Sequence, residues 1–253
     1  MSLKQVWGGS RAILLWGLAG WMAMAVKPPP SVAQETKARL TLSVGQVTVK
    51  GAGQASHAPT VLGQAFNPGD VILTGAESRA EITLPEGQGV IRMADQSLLT
   101  WVRSEGGDSA RKTEAHLQVG KVWINFKALK NIKRLQERRR EFQVSSPMAI
   151  SGVRGTIYRM DVAPDSASLV RVYEGQVQIG WVPQQAFIPG QTLLQAPTEV
   201  AGPREIAVTE WIELIRAGQQ ALLTPDRKVA VSPFDTAKDA QEEWVKWNRA
   251  RDK

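Results

Sequence analysis

The chain has 253 residues, 43% hydrophobic and 22% charged, with no cysteine and two histidines, His57 and His116. Without cysteine there can be no disulfide, thiol nucleophile or thiolate metal centre, and two histidines make a histidine-rich metal site improbable. The formal charge is +7, but Lys4, Arg11 and Lys27 carry three of those charges in a stretch with no acid, so charge alone selects no partner for the rest.

Residues 1–33 read as an export signal. Lys4 and Arg11 accompany an apolar run from Ala12 to Val26, and Ser31-Val32-Ala33 offers small residues for a cut after Ala33. The alternative is an uncleaved N-terminal anchor in the inner membrane, although the run is short beside the ~20 residues a spanning helix needs.

Residues 38–200 then predict an all-β domain, either an antiparallel β-sandwich or a solenoid-like β-roll. Leu40, Leu42 and Val44 alternate with polar residues, as do Ala80, Ile82 and Leu84; Val122, Ile124 and Phe126 share a face, and so do Val177, Ile179 and Trp181. A period of two places one face on a core and the other in water. Asn67-Pro68-Gly69-Asp70, Pro85-Glu86-Gly87, Gly106-Gly107-Asp108, Pro164-Asp165 and Pro189-Gly190 supply the turns. Gly45-Gln46-Val47, Gly120-Lys121-Val122 and Gly175-Gln176-Val177 echo one another at irregular spacing. Either the fold repeats a device there or glycine-valine strands coincide by chance.

After residue 203 the period lengthens and predicts a helical extension over 204–253, giving two short C-terminal α-helices. Thr209 would cap the first, with Trp211, Leu214, Ile215 and Leu222 as its stripe and Gly218 weakening it. Asp235 or Thr236 would cap the second, which carries Ala237, Ala240, Trp244 and Trp247 along one side and a Glu242–Lys246 pair.

The candidate site residues each have two readings. Arg154 is either a cation facing an anionic ligand or a guanidinium that bonds carbonyls to hold its turn. Asp70 fixes a turn or, less readily, ligates calcium; Arg79 and Glu81 read as cross-strand pairing partners. The basic segment Lys127, Lys130, Lys133, Arg134, Arg138, Arg139 and Arg140, with Leu129, Ile132 and Leu135 interleaved, is a solvated loop or an amphipathic helix for anionic glycan or lipid. Export removes nucleic acid as its partner. No serine lies in a nucleophile elbow and no glycine-rich phosphate loop is present. The expectation is therefore no catalytic residue, no cofactor and no metal. A hydrolase using His57 or His116 is the enzymatic alternative.

Taken together, Gly45-x-Val47-x-Val49, Pro68-Gly69-Asp70-Val71-Ile72-Leu73-Thr74-Gly75, Ser78-Arg79-Ala80, Gly120-x-Val122-Trp123, Ser146-Pro147, Gly152-Val153-Arg154-Gly155-Thr156 and Glu174-Gly175-x-Val177 resemble the FecR-type periplasmic domain family. The resemblance covers about residues 40–196. It implies an all-β domain outside the cytoplasm that works by contact, and it makes Gly69, Asp70, Gly75, Ser78, Arg79, Pro147, Gly152, Val153, Arg154, Gly155, Thr156 and Gly175 structural residues of the motif. The implied role is a non-enzymatic binding, scaffold or signal-relay protein engaging another envelope protein. Ferric-citrate sensing is not carried over, since too few residues precede the apolar segment for a cytoplasmic regulatory domain. The alternative role is binding of anionic glycan or lipid through 127–140.

Overall fold

The computed structural model describes residues 37–106, 110–126, 139–153, 155–182 and 211–252. The chain divides after Ala33 into two units, and the first, Met1–Ala33, lies outside the described residues together with the expected signal and its cut. No helix among the described residues is long and apolar enough to cross a membrane.

Sixteen strands among these residues form one continuous, open, mixed sheet that doubles back on itself into two layers. In chain order they are β1 Arg39–Val44, β2 Val47–Lys50, β3 Ala58–Pro59, β4 Val71–Thr74, β5 Arg79–Thr83, β6 Val90–Met93, β7 Leu98–Gly106 and β8 Ala110–Phe126. They continue as β9 Arg139–Ser145, β10 Ala149–Val153, β11 Thr156–Val162, β12 Ser168–Glu174, β13 Gln176–Trp181, β14 Trp211–Arg216, β15 Gln219–Leu223 and β16 Val229–Pro233. The first layer runs β1-β5-β6-β8-β11-β12-β15-β16. The second runs β3-β2-β4-β7-β8-β9-β10-β13-β14. Every pairing among the described strands is antiparallel except β8 with β9, which is parallel, and this one ladder makes the all-β sheet mixed.

Strand β8 belongs to both layers. Its first half pairs with β7 and β9, and from Gly120 onward it pairs with β6 and β11. Gly120 sits at the corner with φ +101°, and the inward parity changes there. Ala115 and Leu117 face the core before it, Val122, Ile124 and Phe126 after it. Gly45 between β1 and β2 and Gly175 between β12 and β13 occupy equivalent corners, with φ of +72° and +78°. The sequence echo is thus a repeated corner, placed where only glycine enters positive φ without penalty. Between the layers lies a single core built around Leu40, Phe66, Ile72, Leu99, Trp101 and Phe142.

The expected first helix, with its stripe from Trp211 to Leu222, is replaced by strands over its described residues; Thr209, its expected cap, lies outside them. Trp211–Arg216 and Gln219–Leu223 are strands in opposite layers, and Gly218 is another corner at φ +81°. Among the described residues of the 204–253 extension there are two short helices, α1, Thr236–Asp239, and α2, Glu243–Arg251, both farther along the chain than the first was expected. Asp235 caps α1 through its carboxylate, which accepts from the amides of Ala237 and Lys238. Of the turn expected at Gly106-Gly107-Asp108, Gly106 is the last residue of β7, and Gly107 and Asp108 lie outside the described residues.

Candidate functional site

A row of side chains crosses the outward face of the first layer. Register places Glu81 opposite Arg92, Arg92 opposite Trp123, Trp123 opposite Arg159, and Arg159 opposite Arg171. Their strand neighbours, such as Ile82, Ile91, Ile124, Met160 and Val170, point into the core, so alternation forces the row to the other side. There the segment Asp235–Asp252 lies over it like a strap.

The strap answers the row charge for charge. Asp252 accepts from Arg92 Nη1 at 2.6 Å and from Trp123 Nε1 at 2.9 Å. Glu242 Oε2 lies 2.7 Å from Arg159 Nη1, and Asp239 Oδ1 lies 3.1 Å from Arg171. The Tyr173 hydroxyl donates to Asp239 Oδ2 at 2.8 Å, and Arg79 pairs with Glu243. Within the sheet itself, Arg92 Nε holds Glu81 at 2.7 Å, and Arg159 holds Asp161 through Nε at 3.0 Å and Nη2 at 2.8 Å. Rings complete the contact. Trp123 stacks on Tyr173 at 4.5 Å, Trp244 stacks on Trp247 at 5.3 Å, and the Arg79 guanidinium lies 5.0 Å from the Trp247 ring.

Burial shapes the titration of this face. Burial opposes ionisation of Glu81, but hydrogen bonds from Arg92, Arg251 and Thr41 outweigh it and hold the carboxyl below its ordinary value. Asp161 goes the other way, because burial lifts it even against the pull of Arg159. Burial pushes the Tyr173 hydroxyl well up, so it remains a donor to Asp239.

The motif residues sit mostly at corners and turns. Asp70 Oδ2 accepts from Asn67 N at 2.8 Å and Oδ1 from Ala52 N at 3.3 Å, closing the turn that Gly69 allows at φ +89°. Ser78 Oγ accepts from Gln46 N at 2.8 Å, and Gly75 N donates to the Gln46 carbonyl, which ties the β4–β5 corner to the β1–β2 corner. Pro147 lies in the β9–β10 turn beside Ser146, whose Oγ accepts from Ala149 N at 2.9 Å. Gly152 and Val153 lie in β10; Thr156 Oγ1 donates to the Gln176 carbonyl, and a Cβ on Gly175 would stand 2.9 Å from the Gly155 carbonyl. Arg79 is the motif residue that reaches the strap. Arg79 and Glu81 have separate partners, Glu243 and Arg92, and Glu242 turns to Arg159 instead of joining Lys246 through its side chain. Arg154 and the basic residues Lys127, Lys130, Lys133, Arg134 and Arg138 lie outside the described residues. The backbones of Arg139 and Arg140 open β9, opposite Ala110 and Arg111.

The histidines are not brought to one site. His57 Nδ1 lies 3.4 Å from Thr48 Oγ1, and His116 Nδ1 lies 2.9 Å from Ser145 Oγ. The second pair has the spacing of base and nucleophile, but burial lowers His116 to about 4 and leaves it 4% exposed. Such an imidazole is a poor proton acceptor at neutral pH. A cleft of about 460 Å³ beside the β11–β12 hairpin is lined by Lys121, Asp161, Val162, Pro164 and Leu169 among others, with no hydroxyl or imidazole side chain. No three of His, Asp and Glu converge as metal ligands among the described residues.

His116 also predicts a pH effect. Its folded pKa of about 4 lies below the ordinary 6.5, so its contribution is intact above 6.5, declines as pH falls toward 4, and levels off below. The loss amounts to roughly 3 kcal/mol at pH 4. Urea unfolding of the wild type and of His116→Gln at pH 7 and pH 4.5 should show the variant losing distinctly less on acidification. Glu81 and Glu114, whose lowered values make their stability disappear as pH falls below 4.5, act equally in both proteins and cancel in the comparison.

The signal missed in the sequence was the chemistry of the outward positions. Arg92, Trp123, Arg159, Asp161, Arg171 and Tyr173 alternate with core residues, and alternation alone does not tell a solvent-facing position from one covered by a distant segment. Four strands place them side by side, which no local pattern discloses.

Residues 70–178 match the family model described as FecR protein. Two crystal structures of a candidate anti-sigma factor from Parabacteroides distasonis ATCC 8503, at 1.65 and 2.50 Å resolution, align with TM-scores of 0.44 and 0.45 at 14% and 13% identity. Each alignment covers 67% of this chain and 62% of the other, so less than two thirds of those structures is spanned. No curated protein sequence matches the chain significantly.

Proposed function

The chain carries a FecR-type domain over residues 70–178, and on that premise we propose that it is a non-enzymatic protein of the bacterial envelope, exported from the cytoplasm, which relays or scaffolds by engaging another envelope protein. The family match is the observation that carries this reading. The fold supplies a means of contact. Strands β14 and β16 end the two layers, each paired on one side only among the described residues, and β16 is almost wholly exposed. A free edge offers unpaired backbone groups to an added strand. The reading of His116 as a buried, largely neutral imidazole agrees with a role without turnover.

Two measurements test the proposal. Mass spectrometry of the native protein should find its N-terminus at Gln34; an intact Met1 would favour the membrane-anchored alternative. A photo-crosslinking residue at Val231 in β16, with one at Val61 in the β3–β4 loop as control, should give one discrete protein adduct at the edge in envelope preparations. Excess unlabelled protein should compete it away. Absence of any saturable adduct at Val231, in a protein shown to reach the envelope, would remove the contact role of this edge.

A further inference from the structure

Arg159 and Arg171 stand directly opposite each other on neighbouring strands. Like charges so placed repel, and a sheet does not gain by pairing them unless acids lie between. Asp161 serves Arg159 from the sheet, while Asp239 and Glu242 bridge the two guanidiniums from above, at 3.6 and 3.1 Å and at 2.7 and 3.7 Å. With Arg79 and Arg92 the row offers four cations and two aromatic rings. It meets Asp239, Glu242, Glu243 and Asp252, with Trp244 and Trp247 interleaved.

The strap contributes nothing to the principal core. Its apolar residues Trp244, Val245 and Trp247 join Ala94, Trp123, Ile157 and Tyr173 in a separate small cluster on the outer face. Lifting it would leave the packing between the layers untouched. Its two helices have four and nine residues, too short to persist unsupported. Its attachment combines that small cluster with ion pairs, for which attraction and desolvation nearly cancel. Docking of this kind is exchangeable.

We propose that the outward row of Arg79, Arg92, Trp123, Arg159 and Arg171 is a recognition surface for a short helix that bears tryptophans three residues apart and is flanked by carboxylates at both ends, and that Asp235–Asp252 is its resident occupant, which a partner segment of the same chemistry displaces. The occupant itself defines what the surface accepts. This inference stands apart from the family reading, and its test uses neither export nor an envelope partner.

The probe is a labelled synthetic peptide of residues 234–252, titrated into the protein by fluorescence anisotropy. The wild type should bind it weakly, because the strap competes. Asp239→Lys with Glu242→Lys loosens the strap and should tighten peptide binding by on the order of tenfold, as the open fraction rises. Adding Arg159→Glu and Arg171→Glu should abolish it, and binding should weaken with salt. No binding to the strap-loosened protein, with its β-sheet circular dichroism and cooperative unfolding intact, would overturn the proposal. Hydrogen exchange on the wild type tests it without substitution. Amides of Glu243–Arg251 should exchange roughly tenfold or more faster than those of β11, and faster still in salt. Exchange in step with β11 and insensitive to salt would show the strap to be a fixed part of the fold.

Discussion

Gly120→Ala is expected to destabilise the protein by roughly 3 kcal/mol or more, the sum of a positive-φ cost and an overpacking cost. The residue turns β8 from one layer into the other at φ +101°, and a Cβ there would lie 2.5 Å from Ser97 Cα and 2.3 Å from Ser97 Oγ. The backbone atom cannot rotate away as a side chain could. Ser97 is itself fully buried and fixed, since its Oγ accepts from Lys121 N at 2.9 Å and donates toward the Lys121 carbonyl at 3.2 Å. Gly218→Ala is the matched control. Gly218 is also a corner at positive φ, +81°, but nothing lies within 4 Å of its Cβ position, so only the backbone cost of about 1–2 kcal/mol applies. Urea unfolding of both variants separates the two causes. Equal losses would mean that the close approach at Ser97 contributes nothing.

The corners also explain what the sequence made legible. Alternation in β1 and β5 and the shared face of Val122, Ile124 and Phe126 are local patterns, and they survive folding because each strand has one face on the core. The Gly45, Gly120 and Gly175 echo was visible for the same reason: a recurring backbone requirement leaves a recurring residue. Residues 211–222 mislead because Trp211, Leu214 and Ile215 fit a helix as well as a six-residue strand, and a glycine at 218 is compatible with a weakened helix. Gly218-Gln219 repeats the Gly45-Gln46 and Gly175-Gln176 pairs, and that was the available signal. Asp235 was legible as a cap because capping spans three residues. The strap's docking was not, since Arg159 and Glu242 are 83 positions apart and only the sheet register brings the row together.

Arg159→Met is expected to cost about 3 kcal/mol at neutral pH, the usual consequence of removing one member of a buried ion network. Methionine replaces the bulk of the side chain, so the loss reads the charge and not a cavity. Arg159 is only 4% exposed along its side chain, and among the described residues it is the one hydrogen-bond donor to Asp161, whose Oδ1 is buried without a hydrogen-bond partner. Asp239 retains Arg171 and Tyr173; Asp161 retains nothing comparable. Burial already lifts the Asp161 carboxyl above its ordinary value, and without the guanidinium it must take up a proton or regain water. The same substitution removes the tether of Arg159 to Glu242 in the strap. The variant should therefore lose hydrogen-exchange protection over Glu243–Arg251 along with global stability. Arg159→Met combined with Asp161→Asn removes the stranded charge and should recover at least half of the stability loss, a coupling that a double-mutant cycle measures directly. A single variant that stays within 1 kcal/mol of wild type with its strap protected would mean that Asp161, not Arg159, sets the charge balance beneath the strap.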